Sequence, residues 1–113
     1  MANRSPVDDI LSFWFAPETK ARWFEPDPAF DATCRLHFEP WIEEAASGRL
    51  DGWGMDPHGA LAIVILLDQL PRNIWRGTPR AFAFDPQARA TADQALGHGF
   101  DQELSIDERA FLY

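Results

Sequence analysis

The apolar positions of this chain recur at helical spacing. Val7, Ile10, Leu11 and Trp14 fall at i, i+3, i+4 and i+7, the stripe a helix lays against a core. Phe30, Cys34, Phe38, Trp41 and Ala45 form a second stripe. Ala88, Ala92, Ala95 and Leu96 form a third, made mostly of small residues, which lets a neighbouring helix approach closely. The longest apolar run, Ala60 to Leu67, is hydrophobic all round and predicts a central buried helix over about 57–70. Its Ile and Val content also suits a strand, but a helix start precedes it and no alternating strand pattern occurs elsewhere.

Helix starts are written as a capping residue followed by proline: Ser5-Pro6, Asp27-Pro28, Asp56-Pro57, Thr78-Pro79 and Asp85-Pro86. The side-chain oxygen accepts a free N–H of the first turn, and proline gives up an N–H that has no partner there. Ser105-Ile106-Asp107-Glu108 has the form of a capping box. Glycines 48, 77 and 97 are the expected stops. Pro40 should kink or end the second helix near Glu39, and Pro71 should end or bend the central one after Leu70.

Asp27, Asp56 and Asp85 are 29 residues apart, and Gly48 and Gly77 share that interval. So do Cys34, Ile63 and Ala92, and Phe38, Leu67 and Leu96. Such an interval suits stacked helical hairpins. The chain closes on Ala110-Phe111-Leu112-Tyr113 without a cap, the pattern of a helix cut short. The expected architecture is all-α, a right-handed stack of antiparallel helices forming a single domain over residues 1–113.

Composition narrows the partners. The 113 residues carry a formal net charge of −8, which disfavours nucleic acid and anionic membranes. Cys34 is the sole cysteine, so no internal disulfide forms and a reducing, cytoplasmic location is expected. Met1 to Pro6 lacks the basic and apolar regions of a signal peptide, and eight apolar residues are too few to span a bilayer, which takes about 20.

The candidate chemistry lies in Asp68-Gln69-Leu70-Pro71-Arg72-Asn73-Ile74-Trp75-Arg76-Gly77. An apolar helix delivers polar groups to its own end, where they must be paired or used. In the functional reading Arg72 and Arg76 clamp an anion, Gln69 and Asn73 donate neutral hydrogen bonds, and Asp68 orients an arginine or serves as a base. In the structural reading Asp68 pairs Arg72, while Arg72 and Asn73 satisfy carbonyls at the helix end. Cys34 and His37 share a helix face but lack a third ligand, and the other histidines, His58 and His98, stand apart, so no metal site is expected. Acids at helix starts, Asp8 and Asp9 among them, need only the helix dipole to explain them. Nothing in the chain calls for a cofactor. Trp23 and Trp53 flank loops and are the tryptophans expected to be partly exposed.

Trp23-Phe24, Phe30-Asp31, Gly48-Arg49-Leu50-Asp51-Gly52-Trp53, Leu66-Leu67-Asp68-Gln69-Leu70-Pro71-Arg72-Asn73, Arg76-Gly77-Thr78, Ala81-Phe82-Ala83 and Phe111-Leu112-Tyr113 together resemble the bacterial Domain of Unknown Function 924 family. The resemblance implies a tetratricopeptide-like α-α superhelix and no particular activity. It also implies a longer protein, in which a proline and a His-Ser-Glu motif follow the Phe-Leu-Tyr match. Two functions remain in view. One is a helical scaffold that binds a protein or peptide on a concave face. The other is a small-molecule or enzymatic site, for an anionic ligand, at Asp68, Gln69, Arg72, Asn73 and Arg76. Bare apolar surface at Phe111 to Tyr113 would favour a homo-oligomer.

Overall fold

A computed structural model describes residues 5–23 and 27–113. The signal-peptide reading over Met1–Arg4 and the Phe24 match lie outside those residues. The described residues form helices α1 (Pro6–Trp14), α2 (Pro17–Lys20), α3 (Pro28–Ala46), α4 (Pro57–Val64), α5 (Leu70–Ile74), α6 (Asp85–Gly97) and α7 (Ile106–Arg109). No strand occurs among the described residues, so the fold is all-α. None of their helices is long and apolar enough to cross a membrane.

The capping logic holds at most of the expected starts. Ser5 accepts from the Asp8 amide, Asp27 from Phe30 and Asp56 from Gly59. Ser105 and Glu108 form both bonds of the capping box. Two starts depart from expectation. Thr78-Pro79 opens only a 3-10 turn, Pro79–Phe82, and the Thr78 hydroxyl donates back to the Trp75 carbonyl instead of capping. At Asp85-Pro86 the helix already includes Asp85, and its side chain caps nothing. A further start, Ala16-Pro17, has no side-chain cap.

Both internal prolines are absorbed. α3 continues through Pro40 to Ala46. Pro40 and Leu36, whose carbonyl loses its partner four residues on, are both exposed, so water can satisfy that carbonyl. At Pro71 the chain stays helical from Pro57 to Ile74, through a π turn over Ile65–Gln69. There the Leu70 amide reaches back five residues to the Ile65 carbonyl. The wider turn makes room for the ring of a residue that cannot donate. Left-handed glycines stop the chain at Gly48 and Gly77, but the third is Gly99 rather than Gly97, which remains in α6.

α4 and the π turn are the centre of the molecule. Gly59 to Leu67 and Leu70 are buried. α1 and α6 pack against α4, and α3 packs against the π turn and α5. The predicted stripes face inward: Ile10, Leu11 and Trp14, then Cys34, Phe38 and Ala45, then Ala88, Ala92 and Ala95 are buried. The small-residue face of α6 is what allows its close packing on α4. Trp14, Phe15, Trp23 and Phe111 meet mostly edge-on, with ring centres 5.0–5.9 Å apart, and tie α1 to residue 111. Trp23 and Trp53 are half-buried, as are Trp41 and Trp75, while Trp14 is fully buried.

A candidate ligand cleft beside a charged seam

The polar groups delivered by the central helix separate into two directions. Asn73 and Arg76 turn toward α3. The Asn73 amide donates to Asp31 Oδ1 at 3.2 Å. Arg76 Nε and Nη2 donate to the two oxygens of the same carboxylate at 3.0 and 3.2 Å, a two-bond fork that matches a planar guanidinium to a planar acid. The Asp31 hydrogen bonds raise the Arg76 guanidinium further above its ordinary value. Asp31, Arg35, Glu39 and Glu43 recur every four residues on α3 and form one edge of this seam. Arg35 pairs with Glu39, and Arg80 with Glu43. Arg80 also lies over the rings of Trp75 and Phe84, at 4.5 and 5.4 Å, so it pins the 77–84 segment that leads into Asp85.

Asp68, Gln69 and Arg72 turn the other way. Arg72 Nη2 lies 2.8 Å from Asp68 Oδ1 and 3.4 Å from Asp85 Oδ2. Gln69 donates to Asp68 Oδ2 at 2.7 Å. Arg72 Nε and Asp85 Oδ1 are buried without hydrogen-bond partners. The Arg72 guanidinium rests 5.3 Å from the centre of the Phe82 ring. Burial pushes the Asp68 carboxyl above the ordinary carboxylate range, Arg72 and Gln69 oppose the shift, and Asp85 adds to it. Arg72 and Arg76 therefore do not converge on one anion: each already serves carboxylates, on different sides of α5.

Beside Asp68, Arg72 and Asp85 opens a cavity of about 320 Å³, also lined by Arg89 and Asp93 of α6 and by Phe111 and Tyr113. Arg89 is exposed and makes no ion pair among the described residues. The apolar part of the wall comes from Val64, Ala88, Ala92 and Leu112.

The family description "Bacterial protein of unknown function (DUF924)" matches residues 10–113. The chain belongs to that family. Its DUF924 match takes in the cleft and the seam alike. The structure of a protein of unknown function from Agrobacterium tumefaciens is similar, with 42% sequence identity and a TM-score of 0.87. The similarity covers 95% of this chain and 60% of that one, so this chain spans about three-fifths of its length. No curated protein is significantly similar.

Sequence reasoning named Asp68, Gln69, Arg72, Asn73 and Arg76 but missed the acids that receive them and the α6 side of the cavity. Asp31 was legible in principle, as the first of the charges spaced by four on α3. Asp85 was hidden by its resemblance to a helix cap. Elsewhere, burial pushes the Cys34 thiol up to about 12, which leaves it without thiolate at neutral pH. Among the described residues no group of three or more His, Cys, Asp or Glu is placed to hold a metal ion. The large exposed apolar side chains Leu36, Met55, Phe82, Ile106 and Tyr113 are distributed over separate elements.

Proposed function

We propose that the protein binds a small polar molecule in the cleft formed by Asp68, Arg72, Asp85 and Arg89. The observation that carries this reading is a carboxyl held above its ordinary pKa, on a π turn, at the wall of a cavity of about 320 Å³. Small-molecule sites are concave, run from roughly 300 Å³ upward, and concentrate perturbed carboxyls. π turns are likewise frequent at functional sites. Arg89 supplies the cation for an acidic group of the ligand, because Arg72 is already shared by two carboxylates. Asp68 is the group suited to exchange a proton with the bound molecule. Gln69 holds Asp68, while Asn73 and Arg76 brace α5 against α3 and contribute indirectly. The succession of short helices packed on a central one is compatible with a tetratricopeptide-like stack of antiparallel helices, and the lone buried Cys34 fits a reducing bacterial cytoplasm.

The test is a thermal-shift screen of small carboxylates, phosphate and small amines against wild type, Arg89→Ala, Asp68→Asn and Arg76→Ala. At least one compound should raise the wild-type melting temperature, by about 2.7 kcal/mol of stabilisation at a hundred times its Kd. Arg89→Ala should abolish that rise and leave the unliganded protein unchanged. Arg76→Ala should lower the melting temperature and preserve the rise. A screen in which no compound acts, or in which the rise survives both Arg89→Ala and Asp68→Asn, refutes the cleft. Stabilisation by peptides alone would favour the scaffold function instead.

A further inference from the structure

Arg72 on α5 and Arg76 in the turn after it make unequal contacts with their acids. Arg76 engages Asp31 with both Nε and Nη2, one on each carboxylate oxygen. Arg72 makes only half of the same fork with Asp85: Nη2 faces Oδ2 at 3.4 Å, while Nε and Oδ1, the other half, have no partner. What holds Arg72 away from the complete fork is Asp68, whose Oδ1 takes the same Nη2 at 2.8 Å. A buried donor and a buried acceptor are thus left unpaired on two side chains already in contact, an arrangement that costs free energy.

We propose that Arg72 is a two-position latch: shared between Asp68 and Asp85 in the arrangement seen here, and forked onto Asp85 alone when Asp68 takes up a proton. The proton comes from water and stays on Asp68, and Arg72 keeps its charge throughout. Once neutral, Asp68 is only a weak acceptor for Nη2 and its new O–H can donate to the Asp85 carboxylate, so Nε and Asp85 Oδ1 can pair. Burial of Asp68 favours that protonation, and Asp85 beside it adds to the tendency. The charged groups lining the cavity with the pair are Arg72 on α5 and Asp85, Arg89 and Asp93 on α6, and Tyr113, whose hydroxyl donates to Asp101 Oδ2 at 2.9 Å, is on the same wall. Among them Arg72 is the cation in contact with Asp68. The switch changes the charge of the cleft by one and gives Asp68 a hydrogen-bond donor that the carboxylate lacks. It stands on the cluster geometry and requires no ligand.

The experiment follows the Arg72 Nε–Hε resonance and the Asp68 carboxyl carbon by NMR through a pH titration of unliganded protein. In wild type both should move with one midpoint, and Arg72 Hε should shift downfield as pH falls, toward its position in Asp68→Asn. Asp68→Asn should hold that downfield position at every pH. Asp85→Asn should abolish the Arg72 movement while Asp68 still titrates. Arg72 Hε that stays fixed while Asp68 titrates overturns the latch. So does an Asp68→Asn protein whose Arg72 Hε matches neutral wild type. The ligand screen has its own outcome, so a failed cleft leaves the latch standing and a failed latch leaves the cleft.

Discussion

Two aspartates show how a side chain's role follows from its neighbours. Asp31 and Asp85 each stand at or near the start of a helix, where an acid is favoured by the helix dipole. Asp31 is instead the shared acceptor of Asn73 and Arg76, and Asp85 is drawn to Arg72 and leaves α6 without a side-chain cap. The dependence of Asn73 on Asp31 gives a measurable consequence. Asn73 is only 5% exposed, so removing its acceptor strands a buried donor. Asp31→Ala should destabilise the protein by about 2 kcal/mol in urea unfolding. Asp31→Asn keeps an acceptor oxygen and should cost less. An Asp31→Ala protein with wild-type stability would show that the seam is ornamental to folding.

At the scale of elements, the central helix is built from a tight entry and a loosened exit. At the entry the Asp51–Met55 turn packs directly on α4, with Gly59 at the contact. A Cβ on Gly59 would lie 2.1 Å from the Trp53 carbonyl oxygen, a backbone atom that has no rotamer by which to retreat. Gly59→Ala therefore has to push the turn off the helix, and should cost about 3 kcal/mol despite being a favourable change by helix propensity. Equilibrium unfolding measures it directly, and a neutral or stabilised variant would contradict the packing. At the exit Pro71 leaves the helix one bond short, and the π turn takes up the slack while carrying Asp68 and Gln69 on its last residues. The cleft thus owes its placement to a proline that the helix tolerates.

For the molecule as a whole, the raised Asp68 carboxyl links stability to pH. A group whose pKa is higher folded than unfolded contributes stability that is fully present below the unfolded value and is lost as pH rises through the folded one. Asp68 starts from an unfolded value of 3.8 and is raised by folding. Wild type should therefore lose melting temperature relative to Asp68→Asn as pH rises from about 4 toward neutrality, with a plateau once Asp68 is ionised. Comparing the two proteins at each pH removes the contribution of the other acids. A difference that is flat with pH, or that grows in favour of wild type, contradicts the shift.

Local sequence was sufficient for most of the helix starts because their signals are local. A cap oxygen, a proline that needs no N–H and an apolar residue every third or fourth position act within one or two turns, so Ser5, Asp27, Asp56 and Ser105 could be read directly. Of the apolar positions spaced by 29 residues, Cys34, Phe38, Ile63, Leu67 and Ala92 are buried and Leu96 is half-buried. Tertiary structure alone decided where the charged side chains point. Whether Asp85 caps a helix or receives Arg72, and whether Arg76 reaches a ligand or Asp31, depends on groups 13 and 45 residues away in the chain. Their competing hydrogen bonds differ by only a kcal/mol or so, and it is the packing of α6 and α3 around the central helix that brings one partner within reach and leaves the other behind.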